Sequence, residues 1–98
     1  MVVTVLEARV APEKTAVLQE VYQQAIGQLE EGIVQTFLLR SSKDAESWQI
    51  VTIWQSREAL EAMRRTGVTP RGVLIFRAAE ADPNLMVFEV VASAAAPK

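Results

Sequence analysis

The spacing of apolar residues changes period along the chain, and the changes mark out its elements. Residues 2–10, VVTVLEARV, are rich in β-branched side chains and predict a strand. Val17, Leu18, Val21, Tyr22, Ala25, Ile26 and Leu29 then recur three and four positions apart, the period of an amphipathic helix. Pro12 suits a first helical turn, Glu13 complements the helix dipole and Gly32 is a stop signal. That predicts a helix of about four to five turns. Residues 33–41, IVQTFLLRS, and 47–55, SWQIVTIWQ, predict two strands joined by the polar connection SKDAE. Ser56 has the chemistry of an N-cap, Glu58 follows in the first turn, Ala59, Leu60 and Met63 form a short stripe, and Gly67 ends it. GVLIF, residues 72–76, would read as a strand in isolation, but the RAAEA that follows continues a helical pattern and predicts a helix over 70–81. Asp82-Pro83-Asn84 is turn chemistry, and LMVFEVVA predicts a fourth strand.

The order β-α-β-β-α-β, with the second helical region broken at Gly67, predicts an α+β, ferredoxin-like domain. It consists of a four-stranded antiparallel sheet with helices on one face. One domain over residues 1–93 is expected, with 94–98 a frayed tail. Such a sheet should alternate apolar and polar positions, yet these strands are apolar on both sides. Trp48, Ile50 and Trp54 oppose Val51 and Ile53. Val34 and Leu38 oppose Ile33, Phe37 and Leu39, while Met86, Phe88 and Val90 oppose Leu85, Val87 and Val91. Helices cover one face only, so the other is an association surface. The economical arrangement is a homodimer packed sheet to sheet, a dimeric α+β barrel, with a cavity for a small apolar or aromatic ligand on the helix side.

Composition removes several chemistries. The 98 residues contain no cysteine and no histidine, which excludes disulfides, thiolate nucleophiles, Cys/His zinc sites, histidine bases and histidine-ligated haem. The acidic residues are scattered, so no metal site is expected. A net charge of −2 without a Lys/Arg cluster argues against nucleic acid as a partner. No apolar run approaches the ~20 residues of a membrane span, and the start, MVVTVLEARV, lacks the pattern of a signal peptide. No membrane partner and a cytoplasmic location are therefore the expectation.

The segment IVTIWQSREALEAM, residues 50–63, carries the most specific local pattern. A strand ends in apolar-x-x-Trp-x-Ser and runs straight into a helix beginning with a charged pair and an alanine. Ile53, Trp54, Ser56, Arg57, Glu58 and Ala59 supply these positions. Together with the order of elements over about residues 2–92, the segment resembles the antibiotic biosynthesis monooxygenase family of small dimeric α+β barrels. The resemblance implies cofactor-independent oxygenation of aromatic polyketides or of quinol- and quinone-type molecules. It also implies kinship with haem-degrading members, which use an asparagine on the first strand, a tryptophan at the strand-helix corner and a histidine on the following helix. Trp54 alone has a counterpart here: the only asparagine is Asn84, in the last turn, and histidine is absent. Oxygenation without a cofactor suits such a chain, because an electron-rich phenolate or carbanion reduces oxygen itself. The protein then supplies a dry pocket and groups that promote deprotonation.

Five residues are candidates for the binding site. Trp54 is either a corner anchor that sets where the following helix starts or a pocket wall with one N–H to offer. Tyr22, the only tyrosine, is either a buried hydroxyl with a local partner or a group that orients a substrate oxygen. Arg40 and Arg77 could stabilise developing negative charge, against the commoner role of exposed or ion-paired arginine. Phe37 is a core or pocket aromatic. Glu7 and Glu89, if desolvated, are candidate bases. No catalytic residue is identified by these patterns.

Overall fold

The computed structural model describes residues 1–97. It contains β1 (Val2–Arg9), a short 3-10 turn (Pro12–Lys14), α1 (Thr15–Ala25), β2 (Ile33–Arg40), β3 (Ser47–Trp54), α2 (Arg57–Arg65), α3 (Arg71–Ala78) and β4 (Asn84–Glu89). The strands lie in the order β2-β3-β1-β4, and every neighbouring pair is antiparallel. This is the ferredoxin-like α+β arrangement that the element order predicts. Residues 91–97 carry no helix or strand; the expected frayed tail also takes in Lys98, which lies outside the described residues. No helix among the described residues is long and apolar enough to cross a membrane.

Strand parity explains the core. Trp48, Ile50 and Trp54, two or four positions apart on β3, are each only 4% exposed, as they all face the helices. With Leu6 and Ala8 of β1, Trp48 and Ile50 meet Leu18 and Tyr22 of α1 and Ile75 and Phe76 of α3. Trp54 lies in a neighbouring cluster with Val2 and Leu60, which anchors α2 to the sheet. Ser56 caps α2 as expected, its hydroxyl accepting from the Ala59 backbone N–H at 3.1 Å. Gly67 has φ +73 just beyond that helix.

Two expectations change. α1 ends at Ala25 rather than running on to Gly32. The Ile26 N–H still reaches back four residues to Tyr22, but those of Gly27 and Gln28 reach back only three, to Gln24 and Ala25. The helix tightens and stops where glycine enters, which leaves Leu29 exposed beyond it. On β2 the register slips between Ile33, opposite Trp54, and Gln35, opposite Ile53. Val34 is the extra residue of a bulge. Ile33 therefore turns to the helix side, where it packs beside Trp54 and Leu60, instead of sharing a face with Phe37 and Leu39.

The region 70–81 forms a helix as predicted, but only over Arg71–Ala78: the Ala79-Glu80-Ala81 that the pattern includes lies beyond it, with Ala79 and Glu80 in a turn and Glu80 at φ +59. Its first turn presses close to the sheet at Gly72, where a Cβ would come 2.5 Å from Leu6 Cδ1.

Candidate functional site

Between the helices and the sheet lies a cavity of ≈ 160 Å³. Its floor is the helix-facing surface of the sheet, including Thr4 and Leu6 of β1, Thr36 of β2, and Ile50, Thr52 and Trp54 of β3. Tyr22 and Ile26 come from the α1 side, Leu60 and Met63 from α2, and Gly72, Val73 and Ile75 from α3. Leu29, Arg64, Arg71 and Leu85 are exposed residues at its rim. Arg71 is tied there: its Nε lies 3.6 Å from Glu30 Oε1, and its Nη1 donates to the Gln28 carbonyl. Arg64 pairs with Glu61 at 3.5 Å.

The polar atoms of the interior form one row. Thr4 is directly opposite Thr52, and Thr52 opposite Thr36, so three hydroxyls cross three strands at a single register position. Tyr22 Oη donates to Thr36 Oγ1 at 3.4 Å, and Thr36 Oγ1 lies 3.4 Å from Thr52 Oγ1. Trp54 Nε1 donates to Thr4 Oγ1 at 3.1 Å. The indole bond has ordinary length, whereas the two hydroxyl contacts are well beyond the ~2.7–2.8 Å usual for O–H···O.

Trp54 and Tyr22, two of the five candidates, thus meet in one cavity, and Trp54 combines both of its readings by anchoring α2 and lining the wall. The other three lie elsewhere. Phe37 pairs with Val51 on the opposite face of the sheet, because the bulge at Val34 sets the inward positions of β2 at Ile33, Thr36 and Leu38. Arg77 is exposed on α3, outside the cavity lining. Arg40, at the end of β2, stacks its guanidinium 5.5 Å from the ring centroid of Trp48 and borders a separate surface depression. Neither acidic candidate lines the cavity: Glu7 belongs to the uncovered face, and Glu89 accepts from Arg57 at 2.7 Å. The threonines were not among the candidates, although Thr4 and Thr52 sit at inward parity between apolar residues.

The residues present do not fit a haem. Histidine and cysteine, the usual axial ligands, are absent from the chain. A cavity of this volume matches one that takes up a benzene ring, far short of a porphyrin. Among the described residues no group of three His, Cys, Asp or Glu side chains is placed to hold a metal ion.

Comparison with curated proteins returns no match. Among solved structures, a candidate antibiotic biosynthesis monooxygenase from Deinococcus radiodurans superposes with TM-score 0.73 at 14% identity, covering 100% of both chains. SnoaB, a cofactor-independent oxygenase from Streptomyces nogalater in a point-mutant form, gives TM-score 0.70 at 18% identity over 94% of each chain. MhuD, also a point mutant and with two manganese protoporphyrin IX bound per active site, gives TM-score 0.71 at 23% identity, covering 98% of this chain and 100% of its own. These likenesses establish the fold. Residues 1–69, from β1 through α2, match the sequence profile described as Antibiotic biosynthesis monooxygenase, and the chain belongs to that family.

Proposed function

We propose that the chain is a cofactor-independent monooxygenase of an aromatic polyketide or a quinol-type small molecule, working as a homodimer. The observation that carries this reading is the apolar cavity between helices and sheet with its single row of hydroxyl and indole donors. A cavity near 160 Å³ suits one or two fused rings, which favours the quinol end of that range. Once its acidic proton passes to solvent at the cavity mouth, an electron-rich ring of this type reduces oxygen itself: one oxygen atom enters the ring and the other leaves as water. The protein's part is to exclude water, hold the ring and stabilise the charge that develops on its oxygen. SnoaB, a cofactor-independent oxygenase by description, is a precedent for this chemistry on the same fold.

The uncovered face of the sheet supports the homodimer. Val5, Ile53, Met86 and Phe88 lie there beside Phe37 and Leu39, with no element of the chain over them among the described residues. Sedimentation at micromolar concentration should give twice the chain mass, and a monomer would remove this part of the reading.

Oxygen uptake against a panel of hydroquinones, naphthoquinols and hydroxyanthrones, with chelator and without added cofactor, tests the activity. A second reading, a ligand-binding or dimerisation module without catalysis, draws on the lack of a free acid-base group inside the cavity: Glu30, its one carboxylate, is paired with Arg71. Ligand binding without oxygen consumption across the panel would select it.

A further inference from the structure

The contacts within the row of hydroxyls leave donor hydrogens without a partner among the described residues. Tyr22 donates to Thr36. If Thr36 passes its hydrogen to Thr52, the Thr52 hydrogen is free; if the direction is reversed, Thr36 keeps the free one. At the other end the Thr4 oxygen accepts from Trp54. Among the described residues nothing accepts the Thr4 hydrogen, and no hydrogen bond joins Thr4 to Thr52 although they are direct cross-strand partners. Side chains so paired stand about 5 Å apart at Cβ, a gap that one oxygen atom bridges. The long contacts to Thr36 are cheap to give up, since a hydroxyl 3.4 Å from its partner gains when it turns to a closer acceptor. Thr4 is only 8% exposed, so an acceptor arriving there meets little competition from bulk water.

We infer that Thr4 and Thr52 form a two-donor subsite for a single oxygen of the ligand, a carbonyl or phenolic oxygen on a planar aromatic ring. The remaining floor and walls, Leu6, Ile50, Ile75 and the Trp54 ring, take the apolar body of that ring. Among the described residues no cationic group lies in the threonine row, and the arginines of the cavity, Arg64 and Arg71, are held at its rim by Glu61 and Glu30. The subsite therefore selects a neutral acceptor over a preformed carboxylate or phosphate. The same two donors are placed to stabilise the oxygen as it gains negative charge. In this the inference rests on the proposed oxygenase reading, whereas the binding preference stands apart from turnover.

The test uses two probes of similar shape, 1,4-naphthoquinone and naphthalene, with binding followed by calorimetry under anaerobic conditions. The quinone is expected to bind at least about 10-fold tighter than the hydrocarbon, the scale of two neutral hydrogen bonds. Thr52→Val should remove about 3- to 10-fold of quinone affinity and leave naphthalene unchanged, while Thr52→Ser should retain the preference. Thr4→Val should do the same from the other side, and the double valine variant should bind both probes equally. Thermal melts identify any variant that has not folded, and the serine variants, which keep the hydroxyl, then carry the comparison with the wild-type protein. Equal binding of the two probes by the wild-type protein, no quinone binding, or a preference undiminished by Thr52→Val or Thr4→Val in folded protein would each overturn the subsite. An intact preference without oxygen uptake on any quinol would leave the subsite standing and count against the oxygenase reading alone.

Discussion

Trp54 Nε1 donates to Thr4 Oγ1 at 3.1 Å, joining residues 50 positions apart in the chain. Both groups are buried, and the pair links the last inward residue of β3 to the middle of β1. Trp54→Phe removes this hydrogen bond and part of the ring volume packed against Val2 and Leu60. A loss of about 2 kcal/mol or more is expected in chemical denaturation, with weaker ligand binding measured separately on the folded fraction.

Trp48 is as well buried as Trp54, yet its Nε1 has no hydrogen-bond partner among the described residues. Replacing it with phenylalanine removes an unsatisfied donor along with some packing, and the two effects oppose each other. Trp48→Phe should change stability by less than about 1 kcal/mol, clearly less than Trp54→Phe in the same denaturation assay.

Two glycines meet neighbours at similar distance with different consequences. At Gly32, φ is +92 and an added Cβ would lie 2.6 Å from Ala59 Cβ, which has no rotamer by which to move aside. Gly32→Ala should cost about 2–4 kcal/mol, combining backbone strain with overpacking. At Gly72 the contact is with the end of the Leu6 side chain, which borders the cavity and can swing into it. Gly72→Ala should melt within a few degrees of the parent protein while losing affinity for naphthalene, because the space that receives the ring is filled.

The turn between β2 and β3 should be acid-sensitive. Arg9 donates to Asp44 at 2.5 Å, the Glu46 backbone N–H adds a bond at 3.1 Å, and together they hold the Asp44 carboxyl below the usual aspartate value. A lowered native pKa contributes stability above the unfolded value and loses it as pH falls through the native one. The stability advantage of the parent over Asp44→Asn should therefore be present near neutrality and vanish in the acid range below the ordinary aspartate pKa. Urea midpoints measured across pH for both proteins check this. The pair is solvent-exposed, so added salt should reduce the advantage.

Phe88 is half exposed on the uncovered sheet face. Phe88→Lys should convert a dimer into a particle of half the mass, seen by light scattering, with the far-ultraviolet circular dichroism preserved. An unchanged mass would place the association surface elsewhere.

Much of the architecture was legible in the chain because the deciding signals were local. Trp48, Ile50 and Trp54 share a parity, and the Ser56 cap lies within three residues of the N–H it serves. The helix at 71–78 was separable from a strand because RAAEA extends its pattern. What escaped was non-local. A bulge at Val34 depends on how β2 pairs with β3, so counting along β2 alone puts Ile33 on the wrong side. The threonine row likewise exists only in the register of three strands. Each threonine in isolation reads as an ordinary polar residue in an apolar segment, although inward parity marked Thr4 between Val2 and Leu6 and Thr52 between Ile50 and Trp54. Arg40 and Arg77 are candidates by charge alone, and charge carries no information about which surface a side chain occupies.

The bulge has a consequence beyond the cavity. β2 is an outer strand of the sheet, and an outer strand offers unpaired amides on which a further chain can extend the sheet. An extra residue at Val34 interrupts the even spacing of that margin, so a regular strand laid alongside would lose step within a few residues. Endless lateral growth of the sheet is thereby discouraged at this border.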